Sequence, residues 1–364
     1  MEMSDKIKIT DILKQKKPLI DGIIRSYFPK PMTKEDIEKI AGKARYEYDV
    51  EAVNKAIIEP MWDFLETGGK RWRPVLFMLL IEALGEDANK YIDFAIIPEL
   101  VHNGTLVIDD IEDKSETRRG LPAAYIKYGE DIAINFGNSM YYLPLVSILK
   151  NRPGVDEKTL KKLYDVYTQE MINLSIGQGT DIYWHNGHGD ADNITEAQYL
   201  QMCAYKTGTL ARMAARMAAV LAGLDEENER KIGEYAETIG IAFQIQDDIL
   251  NLTATSGKAQ YTKEYIGSDI TEGKRTLMVV HTLKHCTDEE KEWLLKTLNE
   301  HTKDREKIKK AIELMKKYGS IEYAKQFARE LVNETWENVN GLLKEGRAKE
   351  ALEAFTRFIV ERDF

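Results

Sequence analysis

Proline is confined to the first part of this chain, and that restricts what the chain can fold into. The sequence has 364 residues and nine prolines, of which the last is Pro153. Because proline interrupts a helix interior, its absence from more than half of the chain is typical of helical structure. Apolar residues also recur every three or four positions between Leu210 and Leu224. We therefore predict an all-α fold.

Helix starts are marked by three capping-box patterns, each a threonine followed three positions later by an acidic residue or glutamine. They begin at Thr33, Thr195 and Thr287. Breaks rich in glycine, proline and polar residues lie near positions 29–31, 68–69, 151–154, 185–193 and 254–267. We predict a polar helical extension over residues 1–45 and one helical domain over residues 46–364.

Composition excludes several classes of protein. A net charge of −10 argues against binding to nucleic acid. Two cysteines, Cys203 and Cys286, form neither a disulfide framework nor a paired metal motif, so we expect a cytoplasmic protein. The N-terminus lacks the apolar core of a signal peptide. Because the apolar window at 210–224 is too short to span a bilayer and contains two arginines, we expect no transmembrane segment.

Acidic residues cluster directly after an apolar run in LVIDDIEDKSETRRG, residues 106–120. On a helix Asp109 and Asp113 share one face, and Asp110 lies about 100° around the axis. Burying unpaired carboxylates is costly, and a divalent cation between them removes that cost. Such oxygen ligands suit Mg²⁺, typically together with a substrate phosphate. The alternative for one such motif is a solvated acidic helix end.

A second cluster occurs in FQIQDDILNL, residues 243–252, where Asp247 and Asp248 are followed by Asn251. It also comes after an apolar run, so each cluster is placed where a buried helix emerges. Two clusters of this kind are poorly explained as surface charge. We predict that they form two walls of one site and share metal ions.

Basic residues accompany both clusters and predict an anionic ligand. Arginine binds phosphate oxygens through two donors, and lysine supplies a point charge. The candidates are Lys70, Arg71, Arg73, Arg118, Arg119, Lys206 and Lys274.

The order of these motifs resembles the trans-isoprenyl diphosphate synthases of the polyprenyl synthetase family. The likeness runs from about residue 51 to residue 284 through GGKRWRP, ELVHNGTLVIDDIEDKSETRRG, GQGTDIYW, YKTGTL, FQIQDDILNL and DITEGKRTL. The residues of these motifs are most similar to those of the geranylgeranyl diphosphate synthase branch. The resemblance implies an all-α single-domain bundle around a deep central cavity, the isoprenoid synthase fold, usually as a homodimer. Residues 46–364 would then be the catalytic domain.

The resemblance also implies metal and substrate ligands. Asp109 and Asp113, supported by Asp110, would bind Mg²⁺, and Asp247 would bind a further ion, for about three Mg²⁺ per site. The allylic diphosphate would be bound by Arg118, Lys206 and Lys274, oriented by Thr207 and Gln244. Lys263 is a further candidate, in a loop shifted by one residue relative to the family. Isopentenyl diphosphate would be bound by Lys70, Arg73, His102 and Arg119.

The implied reaction is condensation of isopentenyl diphosphate with dimethylallyl, geranyl or farnesyl diphosphate. Gly104 and Thr105, one turn before Asp109, are small and set no short limit on the product. Tyr141 and Tyr142 come next, and large aromatic residues at the corresponding place form a floor in the geranylgeranyl-like branch. We expect a C20 product. The alternatives are a longer or shorter product, or core packing of the tyrosines.

Three rival functions make different demands on the sequence. A class I terpene cyclase carries a different second motif and needs no second diphosphate site. A catalytically silent subunit of a hetero-oligomeric synthase usually loses aspartates from the first motif, and all of them are present here. A di-iron bundle needs Glu-x-x-His pairs, which neither acidic cluster contains. We interpret His185 and His188, despite their spacing, as part of a solvated loop.

Overall fold

The computed structural model describes residues 7–188, 193–253 and 266–361, and within them helices dominate. In the first part of the chain the α-helices are α1 (Ile9–Tyr27), α2 (Lys34–Ala41), α3 (Val50–Val53), α4 (Glu59–Glu66), α5 (Trp72–Ala83), α6 (Ala88–Tyr91), α7 (Ile96–Glu112), α8 (Ala124–Tyr128), α9 (Glu130–Tyr142) and α10 (Val146–Lys150). They are followed by α11 (Glu157–His185), α12 (Glu196–Cys203), α13 (Thr209–Leu221), α14 (Glu226–Thr253), α15 (Ser268–Thr271), α16 (Leu277–His285), α17 (Asp288–Asn299), α18 (Arg305–Lys317), α19 (Ser320–Val339) and α20 (Arg347–Glu361). The all-α prediction is confirmed.

Shorter elements connect these helices. Two wide π-helical turns occur at Asn54–Ile58 and Ala204–Gly208, and 3₁₀ turns occur at Ile92–Ala95, Leu143–Leu145 and Asn340–Leu342. Strands β1 (Thr117–Arg118) and β2 (Leu121–Pro122) form one antiparallel hairpin.

All three predicted capping boxes are present. The hydroxyl of Thr33 accepts a hydrogen bond from the Asp36 N–H, and the Thr33 N–H donates back to the Asp36 carboxylate. The boxes at Thr195 and Thr287 are built in the same way. Each satisfies donors that the first helical turn leaves open, a contribution of about 1 kcal/mol.

The chain divides into two compact units, each assembled from three separated segments. The first unit contains Met1–Val166, Met213–Glu229 and Leu343–Ala354. The second contains Tyr167–Arg212, Arg230–Leu342 and Phe355–Phe364. Helix α1 belongs to the first unit and packs on α5 and α7. The proposed domain start at residue 46 stays a prediction.

In the first unit the packing of α7 against α9 fixes where the first acidic cluster lies. Gly104 on α7 faces Gly137 on α9 so closely that a Cβ atom on Gly104 would lie 2.6 Å from the Gly137 carbonyl oxygen. Because neither residue has a side chain, the two helix backbones can approach. The C-terminal end of α7, which carries the aspartates, is thereby held against α9.

One stretch, Glu130–Lys150, is long and apolar enough to cross a membrane by length and composition alone. It covers α9, a 3₁₀ turn and α10, so it is not a single continuous α-helix. One face of α9 packs along α7 in the first unit, and 44% of the most apolar window is buried.

In the second unit three glycines bring α11, α14 and the π-helical turn at 204–208 together. A Cβ atom on Gly177 of α11 would lie 2.3 Å from the Lys206 backbone nitrogen. A Cβ atom on Gly240 of α14 would lie 2.6 Å from the Gly208 Cα atom. Since these close contacts are with backbone, small rotations of side chains could not relieve them. The backbone of the turn is therefore fixed from two sides.

Candidate functional site

The first acidic cluster lies at the C-terminal end of α7, in the first unit. Asp109 and Asp113 are half-buried, and Asp113 is the C-cap of the helix. Asp110 is completely buried. Three carboxylates near a helix C-terminus are unfavourable in themselves, because the helix dipole places partial negative charge there. The arrangement requires positive charge nearby.

Arg118 supplies part of that charge. Its Nε donates to Asp110 Oδ1 over 2.9 Å, its Nη2 contacts the same oxygen, and Nη2 lies 3.8 Å from Asp109 Oδ2. Burial raises the pKa of Asp110, although the hydrogen bond from Arg118 opposes that rise. Asp110 Oδ2 is buried and accepts no hydrogen bond from any residue that the structure describes.

The hairpin β1–β2 positions the predicted ligands Arg118 and Arg119. Its two-residue turn consists of Arg119 and Gly120, both with positive φ, at 56° and 77°. This is the conformation of a tight hairpin turn, in which a residue with a large side chain is unusual. Arg119 Nη1 donates to Thr67 Oγ1 over 3.2 Å and to the Gly68 carbonyl over 3.1 Å. The turn therefore directs Arg119 onto the loop before α5.

A dense group of positive charges surrounds His102, two turns before Asp109 on α7. The pKa of His102 lies well below its usual value because of burial and of repulsion from Arg73, Arg119, Arg118 and Arg71. Burial and the neighbouring Arg71 also lower the pKa of Arg119, to about 10. His102 is consequently neutral near pH 7, and the surrounding arginines favour an anionic ligand.

The structure places the residues of GGKRWRP in different environments. Lys70 is exposed, whereas Arg73 is buried and its guanidinium lies 4.2 Å from the centre of the Trp72 ring. Arg71 is also buried and is bonded entirely to protein atoms. From the sequence Arg71 is one of the candidate anion ligands, because its spacing does not distinguish it from its basic neighbours.

In the second unit Lys206 and Thr207 lie in the π-helical turn that interrupts the α12–α13 helix. Such wide turns are frequent at functional sites, since they redirect side chains from the regular helical spacing. Lys206 Nζ is bonded to the carboxylate of Asp181, a buried residue of the GQGTDIYW motif on α11. Burial alone would raise the pKa of Asp181, but Lys206 and Lys274 lower it below its usual value.

Asp181 is a site residue that sequence reasoning missed. The motif was identified, but its aspartate was given no role because no partner is nearby in the sequence. Lys274 contacts Glu272 and lies 3.8 Å from Asp269 Oδ1. Both predicted lysines are thus held by carboxylates, with Asp181 influencing each of them.

A hydrogen-bonded chain orders the second acidic cluster. Thr207 Oγ1 donates to Gln244 Oε1 over 2.9 Å, and Gln244 Nε2 donates to Asp248 Oδ1 over 2.7 Å. The Tyr199 hydroxyl donates to the other Asp248 oxygen over 3.2 Å. Asp248 is buried, whereas Asp247 is half-buried. Asp248 therefore fixes the position of Gln244, and through Gln244 that of Thr207.

Asn251, the last polar residue of the second motif, is completely buried. Its side-chain nitrogen donates to Ser268 Oγ over 2.8 Å, and its side-chain oxygen accepts from the Asp269 N–H over 3.2 Å. Both side-chain atoms thus fix the start of α15. Lys263, the remaining predicted ligand, lies outside the described residues.

The interpretation of His185 as part of a solvated loop is wrong. His185 is the last residue of α11 and is buried, and its Nδ1 lies 4.0 Å from Asp181 Oδ2. Burial lowers its pKa. A glycine-rich stretch follows it, and Gly273 packs against the His185 backbone, where an added Cβ atom would lie 2.8 Å from the His185 carbonyl oxygen. His188 is exposed, as expected.

The residues predicted to limit chain length lie on α7 and α9. A Cβ atom on Gly104 would lie 3.0 Å from Tyr141 Cε1, so Gly104 is required by packing as well as being small. Thr105 Oγ1 donates to the His102 carbonyl over 2.8 Å. Tyr141 is half-buried, whereas Tyr142 is 69% exposed, so core packing does not account for Tyr142.

The carboxylates fit a divalent cation bound with few protein ligands. Among residues 7–188, 193–253 and 266–361 no three His, Cys, Asp or Glu side chains converge as a complete metal cage. Mg²⁺ rarely needs one, since it retains water and binds substrate phosphate. The buried, unbonded Asp110 Oδ2 beside Asp109 supplies the oxygen-rich, negative surroundings that such an ion requires.

Comparison with known proteins relates this arrangement to one family. The sequence profile described as polyprenyl synthetase matches residues 54–315. A geranylgeranyl diphosphate synthase from Sulfolobus acidocaldarius is 31% identical over 307 residues, covering 82% of this chain and 90% of that protein. A geranylfarnesyl diphosphate synthase from Aeropyrum pernix is also 31% identical, covering 82% and 92%. The crystal structure of a geranylgeranyl pyrophosphate synthetase from Pyrococcus horikoshii superposes with a TM-score of 0.82 at 30% identity, covering 98% of each chain.

Proposed function

This chain belongs to the polyprenyl synthetase family and is a trans-prenyltransferase, and we propose that it condenses isopentenyl diphosphate with an allylic diphosphate to make geranylgeranyl diphosphate. The observation that carries the proposal is the gathering of four arginines around the neutral His102, next to the carboxylates at the end of α7. A strong anion site beside oxygen ligands suits a diphosphate bound together with a metal ion.

The isopentenyl diphosphate is assigned to the positive group in the first unit. Lys70, Arg73, His102 and Arg119 would contact its phosphate oxygens. His102 does so as a neutral donor, because its lowered pKa keeps it unprotonated near pH 7. The arginines remain charged at that pH, and they provide the attraction.

The allylic diphosphate is assigned to Arg118, Lys206 and Lys274, with Thr207 and Gln244 orienting it. Lys206 and Lys274 are held by carboxylates, so their positions are set before substrate arrives. We further propose that Asp109, Asp113 and Asp247 hold Mg²⁺. When bound, Mg²⁺ neutralises part of the diphosphate charge and so makes it a better leaving group.

The chemistry requires no nucleophilic side chain. The bond between the allylic carbon and the diphosphate oxygen breaks, and its electron pair leaves with the diphosphate. The double bond of isopentenyl diphosphate attacks the allylic cation, and loss of a proton to the released diphosphate forms the new double bond. Arg118, Lys206 and Lys274 stabilise the negative charge that develops on the leaving group.

A C20 product is supported by the small residues near Asp109 and by the tyrosines beyond them. One helical turn is about 5.4 Å, close to the length of one isoprene unit. Gly104 faces the close contact with α9, where Tyr141 lies directly beside it, and Thr105 is the small residue that follows in the same turn. We propose that Tyr141 ends the space available to the growing chain, with Tyr142 in a supporting role.

The proposal includes a homodimer. Ile134, Tyr142 and Leu149 are large apolar residues that remain exposed along the 130–150 stretch. Burying such residues against a second copy removes apolar surface from water. Sedimentation equilibrium of the purified chain checks this, with twice the 41.7 kDa chain mass expected.

The test is prenyl transfer by the purified protein with labelled isopentenyl diphosphate, Mg²⁺ and each of dimethylallyl, geranyl and farnesyl diphosphate. We expect label in an extended product with at least one primer, and none when a chelator replaces Mg²⁺. Binding of both diphosphates without transfer would contradict the proposal and favour a silent subunit.

A further inference from the structure

Arg71 is buried at the start of α5 and directs every one of its side-chain nitrogens to protein atoms. Nε donates to Asp21 Oδ1 over 2.8 Å, and Nη2 donates to the Leu65 carbonyl over 2.8 Å. Nη1 donates over 3.1 Å both to Glu99 Oε1 and to the Gly68 carbonyl. The side chain is 2% exposed. Arg71 is therefore part of the structure beneath the anion site and not a ligand of the substrate.

These bonds set the shape of the turn at Gly68–Gly69. The Gly68 carbonyl accepts hydrogen bonds from both Arg71 and Arg119. The two glycines have φ values of 142° and 101°, and Arg71 itself is left-handed at 54°. A Cβ atom on Gly69 would lie 2.8 Å from Arg71 Nη1. The turn therefore depends on the guanidinium that occupies its inner side.

Helix α1 supplies two of the contacts with this turn. Asp21 binds Arg71, and Lys17 Nζ donates to the Gly69 carbonyl over 3.2 Å. The apolar face of α1, including the completely buried Ile20 and Ile24, fixes the helix in the first unit. The N-terminal extension thus reaches the loop that carries Lys70 and leads into the first turn of α5, where Arg73 lies.

The same network extends to α7. Glu99 Oε1 accepts from Arg71 and also from Asn103 Nδ2, the latter over 2.8 Å. Asn103 is adjacent to His102. The carboxylates of Asp21 and Glu99 balance the charge of Arg71, which would otherwise be buried beside other arginines at high cost.

We infer that Asp21 and Arg71 are positioning residues for the diphosphate of isopentenyl diphosphate, acting by holding the Gly68–Gly69 turn that presents Lys70 and Arg73. The inference rests on the proposed function for the identity of the ligand. Helix α1 would then contribute to substrate binding indirectly, through the turn that it contacts.

Asp21→Asn tests this role, because Asp21 is partly exposed and its loss leaves the other bonds of Arg71 in place. We expect KM for isopentenyl diphosphate to rise roughly tenfold, the change associated with one charge-assisted hydrogen bond, while KM for the allylic diphosphate is unchanged. Asp21→Glu should restore part of the loss. Lys16→Gln is the matched control, since it removes the 2.8 Å ion pair of Lys16 with Glu82 from the same helix without touching the turn.

Arg71→Lys provides a second variant with a larger expected rise, and thermal unfolding of each variant shows whether it is folded. A selective rise in KM for isopentenyl diphosphate in Asp21→Asn, absent in Lys16→Gln, supports the inference. Equal effects on both substrates, or no effect in a folded Asp21→Asn protein, overturn it. If the wild-type chain transfers no prenyl group, the proposed function fails separately, and calorimetric binding of inorganic pyrophosphate then decides whether Asp21→Asn weakens the anion site.

Discussion

Arg118, which is half-buried, pairs with the fully buried Asp110: its Nε donates to Oδ1 over 2.9 Å, while Asp110 Oδ2 accepts no hydrogen bond from the described residues. The pair joins the first acidic motif to the arginines that follow it. Asp110 thus fixes the orientation of Arg118, one of the residues that we propose bind the allylic diphosphate.

Replacing Asp110 should therefore impair transfer, because the residue both orients Arg118 and adds a carboxylate to the proposed metal site. We expect Asp110→Asn to lower kcat/KM by about 100-fold, a typical loss for one misplaced electrostatic contact. Glu116 is an exposed residue between the first acidic cluster and Arg118, and Glu116→Gln should retain activity near the wild-type value. Steady-state kinetics with saturating Mg²⁺ measures both. Equal activity of the two variants would show that Asp110 does not orient Arg118.

Two glycines of α11 provide a matched test of the π-helical turn. In Gly177→Ala the new methyl group would lie 2.3 Å from the Lys206 nitrogen, so we expect a loss of about 1–3 kcal/mol in the free energy of unfolding and displacement of Lys206. In Gly179→Ala it meets open space, and the change should be neutral or stabilising by up to about 1 kcal/mol. Urea unfolding and kcat distinguish them, and similar results for both would contradict the packing described here.

Stability should fall in mild acid partly because of His185. Burial lowers its pKa in the folded chain, so above about pH 6.5 it is neutral in both states and contributes nothing. Below that pH the unfolded chain binds the proton more readily, and stability falls by up to about 1.4 kcal/mol per pH unit.

His185→Gln should flatten this slope, and His188→Gln, an exposed change three residues further, should not. Part of the slope should remain in His185→Gln, because burial also lowers the pKa values of His102 and His281. Urea unfolding between about pH 5 and pH 8 gives the comparison. An unchanged slope in His185→Gln would show that this ring titrates alike in both states.

The two tyrosines of α9 should contribute unequally to product length. Tyr141 is half-buried beside Gly104, whereas Tyr142 is largely exposed. Removing the Tyr141 ring should free about one helical turn of length, so we expect Tyr141→Ala to extend the product by about one isoprene unit. Tyr142→Ala should have a smaller effect. Chromatography of the dephosphorylated products measures this. Longer products from Tyr142→Ala alone would reverse the assignment.

Helices and their starts could be predicted from the sequence because the signals are local. The threonine at Thr33 and the carboxylate of Asp36 are three residues apart and form the cap by themselves. The stacking of Asp109 and Asp113 on one helix face stays a prediction, since α7 ends at Glu112 and Asp113 is its C-cap. That the two acidic clusters face each other in one site stays a prediction. The deep central cavity of the bundle also stays a prediction.

Features that depend on distant residues could not be predicted in this way. The π-helical turn at Lys206 requires Gly177, which lies on another helix, and Asp181 acquires its role only through that packing. His185 was misjudged because its polar neighbours in the sequence suggest a loop, whereas it is the last residue of α11 and is buried. Arg71 differs from Lys70 and Arg73 only through Asp21 and Glu99, which are 50 and 28 residues away.

The most direct test of the central claim is the chain length made by the purified wild-type protein from farnesyl diphosphate, labelled isopentenyl diphosphate and Mg²⁺. After dephosphorylation, we expect a single labelled C20 alcohol. Products of C25 or longer would contradict the tyrosine limit while leaving the enzyme class intact. No labelled alcohol with this or a shorter primer would contradict the proposed synthase activity itself.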